Sequence, residues 1–203
     1  MVGLSGGKDS LVLLTLLKDF LKTSKYKYPL AAGCIDLGLG ADYGILADFC
    51  RELDVPFYLE KTDIGKIIFE VRKEKNPCSL CAKMRRGALN DLAKSKGYSK
   101  VALGHNREDY LETYLMNLFY AGSTEKMKPL TLLDRSGVTV IRPMLAVPEE
   151  LLRKHSSQMN YPVIKNPCPA DGNTNREEMR LLLEQMETSN PKSLDNCFRA
   201  LIK

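Results

Sequence analysis

The sequence lacks both a long hydrophobic run and a leader-like start. Its longest apolar stretch, residues 11–17, is interrupted by Thr15 and is far shorter than the roughly 20 residues that cross a bilayer. No basic region, apolar segment and small-residue cleavage site precede the first motif, which begins at Ser5. These absences argue against secreted and membrane-spanning classes, and they predict a cytoplasmic protein with no membrane partner.

Internal repeats and low-complexity segments are also absent from the 203 residues. A chain of this length forms one domain, or one domain with a small appendage. After Pro148 the alternation of strands and helices gives way to helices and a turn-rich loop. We therefore expect an α/β domain over residues 1–147 and a C-terminal extension over residues 148–203.

Disulfides are rare in the cytosol, so the six cysteines need another explanation. They are Cys34, Cys50, Cys78, Cys81, Cys168 and Cys197. Cys34, Cys50 and Cys197 fall within the patterns of a strand or a helix, and we predict that they are small core residues. The other three are candidates for binding a metal or for catalysis.

The net charge of +5 is unevenly distributed. Residues 61–100 carry eleven basic side chains against four acidic ones, a local surplus of +7. A clustered excess of this kind suits a polyanionic partner such as RNA. A solvated helix face has the same composition, and charge alone favours that interpretation.

Short apolar runs alternate with helical patterns along most of the chain. The runs predict five strands, at residues 1–4, 30–36, 55–59, 100–104 and 138–142. The helical patterns lie at residues 9–20, 43–53, 64–74, 79–96, 107–120 and 149–158, and from about 176 and 193. Residues 122–137 are predicted to be a polar connection. This alternation indicates an α/β fold with a doubly wound, mainly parallel five-stranded sheet and a small helical C-terminal part.

The motif SGGKDS, residues 5–10, lies between the first strand and the first helix. Its spacing differs from that of the Walker A loop. Adjacent glycines let backbone N–H groups turn toward a ligand, and the helix N-terminus adds partial positive charge. Asp9 would repel a phosphate unless it caps the helix or helps to hold Mg²⁺. The motif therefore predicts a phosphate-binding loop.

Two further motifs carry polar or thiol side chains. PCSLC, residues 77–81, places two cysteines at a helix start, a spacing that fits zinc, an iron–sulfur cluster or a redox pair. Cys168 stands between two prolines in a later loop and is the third candidate ligand. GHNRED, residues 104–109, follows the fourth strand and places Asp109 in the first turn of the next helix.

In this order, SGGKDS, PCSLC with its following RRG, ALGHN with Asp109, the IRP at Arg142 and the NPC at Cys168 resemble a known family. That family is the PP-loop (N-type) ATP pyrophosphatases, and within it the tRNA 2-thiocytidine synthetases. The resemblance covers nearly the whole chain and implies an adenine nucleotide alpha-hydrolase-like, Rossmann-like fold. It implies an ATP-dependent sulfurtransferase that adenylates the C2 oxygen of a tRNA pyrimidine, cytidine first, and replaces it with sulfur.

The resemblance also implies roles for individual residues. The catalytic set would be Asp109, Arg85 and Lys8, with Asp109 coordinating Mg²⁺ or orienting the activated substrate. Nucleotide binding would fall to the loop and the strand ends, at Leu4, Ser5, Gly6, Gly7, Lys8, Asp9, Ser10, Ile35, Asp36, Gly104 and His105. A 4Fe-4S cluster would be held by Cys78, Cys81 and Cys168, with one iron open to sulfide. Asp171 stands where many relatives carry a second late cysteine.

The implied partners are tRNA, through the basic segment 61–100, and a sulfide or persulfide donor protein, and a homodimer stays open. Two other function classes also stay open. The same cysteines could hold structural Zn²⁺ in an enzyme that thiolates uridine or a small molecule, or that forms an amide. The chain could also be a non-catalytic module that binds ATP or RNA.

Overall fold

The structure is a computed structural model that describes residues 1–73, 77–134, 136–165, 167–170, 172 and 174–202. The described residues form six strands, β1 (Val2–Gly3), β2 (Ala32–Asp36), β3 (Phe57–Lys61), β4 (Lys100–Ala102), β5 (Leu130–Leu133) and β6 (Val138–Ile141). They make one sheet in the order β3-β2-β1-β4-β6-β5. Every neighbouring pair is parallel except β5 and β6. The prediction of a mainly parallel α/β sheet is confirmed.

The strand β5 was not predicted, because it lies in the segment expected to be a polar connection. Leu130 and Leu132 point to the same side of the sheet, and each is 60% exposed. An antiparallel edge strand with one solvated face lacks the continuous apolar run that marks a central parallel strand. The sheet therefore has six strands instead of five.

The helices in the described part of the chain are α1 (Lys8–Thr23), α2 (Gly44–Glu52), α3 (Ile64–Lys66), α4 (Pro77–Ser95), α5 (Arg107–Ala121), α6 (Glu149–Gln158), α7 (Asn175–Ser189) and α8 (Ser193–Leu201). The helix predicted over residues 64–74 is α3 followed by a π-helical turn over Ile67–Val71, and residue 74 lies outside the described residues. No helix in this part of the chain is both long and apolar enough to cross a membrane.

Three apolar clusters hold these layers together. On one face of the sheet, buried residues of α1, α2 and α6 pack together, including Leu14, Leu46 and Leu152. The other face is covered by residues such as Ile68, Leu92 and Ala93. A third cluster joins α5 to α7 and α8 through Tyr110, Leu111, Leu183, Leu194 and Phe198. The C-terminal helices are thereby anchored on α5, and the division at residue 147 stays a prediction.

The three cysteines predicted to be core residues do not behave alike. Cys34 and Cys50 are buried, as predicted. Cys197 is exposed, so the core prediction is wrong for it. It lies on the outer side of the short helix α8, whose inner side is formed by Leu194 and Phe198.

Candidate active site

The SGGKDS loop is pressed against the end of β4. A Cβ atom built on Gly104 would lie 3.0 Å from the carbonyl carbon and oxygen of Asp9 and 3.1 Å from the nitrogen of Ser10. Real Cβ contacts are rarely that short, so the position requires glycine for this close approach. Because β1 and β4 are neighbours in the sheet, the loop and the GHNRED segment meet at one edge.

Hydrogen bonds within the loop fix its conformation. Gly6 has a φ of +82°, in the left-handed region that favours glycine. The backbone N–H of Ser5 donates to Ser10 Oγ (3.2 Å), and Ser10 Oγ donates to the carbonyl of Gly7 (2.8 Å). The loop is also tied to the C-terminal part, since the N–H of Ile164 donates to the carbonyl of Gly6 (2.9 Å).

The helix α1 begins at Lys8, with Gly7 as its N-cap and no side chain capping it. The interpretation of Asp9 as a cap is therefore wrong. Asp9 instead accepts hydrogen bonds at Oδ2 from Lys8 Nζ (3.1 Å) and Asn106 Nδ2 (3.4 Å). Its Oδ1 is buried and has no hydrogen-bond partner among the described residues, which leaves one carboxylate oxygen available to a cation.

Lys8 forms its shortest ion pair with Glu149, at 2.6 Å from Nζ to Oε1. Burial opposes the charge of Lys8, but Glu149 and Asp9 outweigh burial and raise its pKa. Burial likewise opposes the charge of Glu149, and its hydrogen bond to Lys8 and the charges of Lys8 and Arg153 lower its pKa in spite of that. Burial raises the pKa of Asp9, with Lys8 opposing.

Asp109 has two structural partners. It forms a capping box with Asn106, whose Oδ1 accepts from the Asp109 N–H (2.9 Å) and whose N–H donates to Asp109 Oδ2 (3.0 Å). Its Oδ1 lies 3.5 Å from Nη1 of Arg176, on α7. The sequence prediction that Asp109 stands in the first helical turn is confirmed.

A cleft of about 390 Å³ opens beside the loop and α5. The predicted site residues that line it come from the SGGKDS, PCSLC and GHNRED motifs and from the late NPC: Asp9, Cys78, Cys81, Arg85, Asp109 and Cys168. They are up to 159 positions apart in the chain. The fold therefore brings the loop, the GHNRED segment and the three cysteines to one place.

The thiol of Cys81 interacts with its neighbours in the cleft. Burial raises its pKa, Arg85 opposes that effect, and the nearby Cys168 and Cys78 add to it. Cys78 and Cys81 lie in the first turn and a half of α4, where the helix dipole favours thiolates. Asp171, three residues after Cys168, lies outside the described residues.

The other predicted site residues do not line the cleft in the described part of the chain. Leu4 and Ile35 are buried in the two main clusters. Asp36 closes a turn, accepting from the N–H of Gly38 at Oδ1 (2.8 Å). Burial lowers the pKa of His105 to about 4, Asp109 opposes that shift, and Arg142 and Arg176 add to it. His105 is therefore neutral at physiological pH.

Several cleft residues were not predicted from sequence. Glu112 and Glu149 add two carboxylates, and α7 contributes Arg176 and Arg180. Glu112 could have been recognised, because it follows Asp109 by three residues and so shares its helix face. No local pattern marks Glu149 or the arginines of α7, whose placement depends on how the C-terminal helices pack on α5.

Comparison with known proteins identifies the family. The ATP_bind_3 family, described as a PP-loop domain, matches residues 1–186. A tRNA-cytidine(32) 2-sulfurtransferase of Citrifermentans bemidjiense is 39% identical over 194 residues, covering 94% of this chain and 76% of that protein. This chain belongs to the PP-loop family. Its relatives confirm the predicted class, an ATP-dependent sulfurtransferase of the PP-loop type.

One further relative agrees with this assignment, and one solved structure shares the fold. The tRNA-cytidine(32) 2-sulfurtransferase of Pelobacter propionicus is 38% identical over 204 residues, which is 98% of this chain and 76% of that protein. Among solved structures, the U34-tRNA thiolase NcsA from Methanococcus maripaludis with its 4Fe-4S cluster has a TM-score of 0.81 at 24% identity. It covers 98% of this chain and 70% of its own. The likeness to NcsA shows that this chain and NcsA share the PP-loop fold.

The donor atoms of these side chains suit the cofactors that the family implies, an iron–sulfur cluster and Mg²⁺. Thiolates are the usual ligands of iron–sulfur clusters, and three cysteines line one cleft. Within the described residues, no three histidine, cysteine or carboxylate side chains are already spaced to close around one ion. The unpartnered Oδ1 of Asp9 is an oxygen donor of the kind that Mg²⁺ prefers.

Proposed function

We propose that this chain uses ATP to adenylate the C2 oxygen of a tRNA cytidine and then replaces that oxygen with sulfur. Its 38–39% identical relatives are named for this modification of cytidine 32. The observation that carries the proposal is the shared cleft, which Asp9 of the loop, Asp109 and Cys78, Cys81 and Cys168 line together. Activation and sulfur delivery both need to reach the same base.

The loop side of the cleft suits the activation step. The C2 oxygen of cytidine attacks the α-phosphate of ATP, the bond between the α-phosphorus and the bridging oxygen breaks, and pyrophosphate leaves. Ser5, Ser10 and the N-terminal N–H groups of α1 are the donors that would bind the phosphates. Asp9, through Oδ1, and Asp109 would hold Mg²⁺, while Arg85 would offset charge across the cleft.

The cysteine side suits the replacement step. Cys78, Cys81 and Cys168 would hold a 4Fe-4S cluster, which would supply the sulfur chemistry of this step. A sulfur nucleophile then bonds to C2, and the C2–O bond breaks with AMP as the leaving group. The sulfur would come from sulfide, or from a persulfide donor protein whose outer sulfur is released as sulfide when a thiol reductant forms a disulfide with the donor cysteine.

The approach of tRNA is supported by the position of the basic segment. Lys83, Arg85 and Arg86 are exposed on α4, within one to two turns of the cysteines. Lys73 is also exposed at the end of the preceding π-helical turn, whereas Lys75 lies outside the described residues. Positive charge at this rim would draw the polyanionic substrate toward the cleft.

A thiolation assay tests the proposed function. Protein prepared without oxygen is incubated with sulfide, Mg²⁺ and a tRNA transcript carrying cytidine at position 32, and the nucleosides are analysed by mass spectrometry. We expect 2-thiocytidine only when ATP is present, with one AMP released per sulfur inserted. A transcript with uridine at position 32 is the matched control. Thiolation of that uridine alone, or no thiolated nucleoside in either transcript, would contradict the proposal.

A further inference from the structure

Arg142, directly after β6, is a half-buried cation that has no carboxylate partner among the described residues. Its Nη1 donates to the carbonyl of Lys128 (2.6 Å) and to Thr131 Oγ1 (3.4 Å), which are both neutral. Its Nε is buried and has no hydrogen-bond partner among the described residues. By contrast, five other arginines form ion pairs with carboxylates: Arg51, Arg107, Arg153, Arg176 and Arg180.

The helix α4 packs against β6 and carries Arg86, a second cation whose charge acts on Arg142. Burial lowers the pKa of Arg142, and the positive charge of Arg86 lowers it further. Arg86 is exposed on α4, one residue after Arg85 of the cleft. Burial lowers the pKa of His105 and Arg142 lowers it further, whereas Asp109 raises it, and the neutral imidazole offers Arg142 no negative charge. Two neighbouring guanidinium groups, one of them desolvated, favour an anion that both can bind.

The ATP phosphates already have donors in the loop, which leaves this pair open to a different anion. Arg142 and Arg86 are not among the described residues that line the cleft, and the loop at residues 5–10 provides donors of its own. Arg142 nevertheless stands at the same edge of the sheet as the loop and the GHNRED segment, because β6 is parallel to β4. The N–H of Leu103 donates to the carbonyl of Ile141 (2.9 Å), which places Arg142 beside the segment that leads to Asp109.

We propose that Arg86 and Arg142 together bind one backbone phosphate of the RNA substrate, next to the cleft that receives the base. The assignment rests on the proposed function, because it takes tRNA as the substrate. Guanidinium groups match phosphate geometry and stay charged after partial burial. The exposed Lys128, whose carbonyl fixes Arg142, adds positive charge on the same side.

The test measures tRNA affinity as a function of salt concentration for Arg86→Ala, Arg142→Lys and the double variant Arg86→Ala/Arg142→Ala. Loss of a phosphate contact is expected to weaken binding several-fold and to reduce the salt slope by about 1. Because both arginines bind the same phosphate, the double variant should reduce the slope by about 1 in total, and not by about 1 for each arginine. Arg142→Lys keeps the charge, so its tRNA affinity should lie between those of the unaltered protein and the double variant.

Arg51→Ala is the matched control, because it removes the same charge from an exposed arginine on α2. The affinity for ATP is measured in parallel and should not change in any of these variants. Unchanged tRNA affinity and salt slope in Arg86→Ala and the double variant, or an equal loss in Arg51→Ala, would overturn the phosphate site. Failure of the unaltered protein to bind tRNA would instead reject the proposed substrate and the site together.

Discussion

The two sides of the cleft differ in how completely the protein itself organises their polar groups. On the loop side, Lys8 is paired with Glu149 and Asp9, and Asp109 is held by Asn106 and Arg176. On the cysteine side, two ligands come from α4 and the third from a loop almost ninety positions later. The loop side is therefore prepared before any ligand arrives, whereas we propose that the cysteine side is completed by its cofactor.

Cys168→Ala should have the largest effect, and it should affect only the cysteine side of the cleft. Loss of one of three proposed cluster ligands should abolish thiolation, while the loop stays intact and ATP binds with unchanged affinity. Nucleoside analysis and ATP titration of the same preparation measure the two effects. Cys197→Ala, which removes an exposed thiol outside the cleft, is the control and should keep full activity. Full thiolation by Cys168→Ala would refute the three-thiolate arrangement.

Asp109→Asn should separate charge from capping on the loop side. Asparagine can still accept a hydrogen bond from the N–H of Asn106, so the helix cap survives. The negative charge toward Mg²⁺ is lost, and we expect pyrophosphate release to fall by about 100-fold. Asp109→Ala should lose the same activity and, in addition, about 1 kcal/mol of unfolding free energy. Pyrophosphate release at the normal rate in Asp109→Asn would show that the carboxylate acts only as a cap.

Gly104→Ala tests how tightly the loop is fixed by the sheet. The new methyl group would lie 3.0 Å from backbone atoms of Asp9, and backbone cannot move aside as a side-chain tip can. We expect the affinity for ATP to fall by about 10-fold, because a misplaced donor set loses binding free energy of this order.

Gly87→Ala is the control for that variant. Gly87 lies on the exposed side of α4, and nothing lies within 4 Å of the position its Cβ would take. Alanine there should raise the free energy of unfolding by about 0.5–1 kcal/mol and leave ATP affinity unchanged. Equal ATP affinity in Gly104→Ala and Gly87→Ala would contradict the role given to the close approach.

Glu149→Gln should strengthen ATP binding, which is the opposite of the effect expected for Gly104→Ala. The carboxylate of Glu149 neutralises Lys8 and faces the space where phosphates would bind. Glutamine keeps the shape and can accept from Lys8, but it removes a negative charge, so ATP should bind several-fold more tightly. Isothermal titration measures the change, with Glu150→Gln on the same helix as the control. Weaker ATP binding in Glu149→Gln would mean that the glutamate holds Lys8 in its active position.

Glu112→Gln should have its effect on stability. Burial raises the pKa of Glu112 from 4.5 to about 7, Arg176 opposes this, Asp109 and Glu149 add to it, and Arg180 opposes it. A carboxyl with a raised pKa stabilises the fold below its unfolded pKa, and this contribution is lost as the pH rises from about 4.5 to 7. Unfolding at pH 5 and pH 8 should show the unaltered protein losing stability relative to Glu112→Gln. If the free energies of unfolding of the two proteins changed equally between pH 5 and pH 8, the raised pKa of Glu112 would be contradicted.

The sequence predicted the parts of the molecule that local patterns encode. Continuous apolar runs marked β2 and β6, and glycines followed by Lys8 marked the loop, because these signals lie in neighbouring residues. β5 was not predicted, because an edge strand with one face in water has no continuous apolar run. Glu149, Arg176 and Arg180 escaped because their place at the cleft is set by the packing of α6, α7 and their neighbours, which sequence spacing does not encode.

The central claim is that the cysteine side of the cleft holds an iron–sulfur cluster. The most direct measurement is the iron, zinc and acid-labile sulfide content of protein purified without oxygen, read together with its visible absorption spectrum. We expect about four iron and four sulfide per chain, with the absorption lost in Cys168→Ala. Stoichiometric zinc without sulfide would contradict it and would assign Cys78, Cys81 and Cys168 to a structural site.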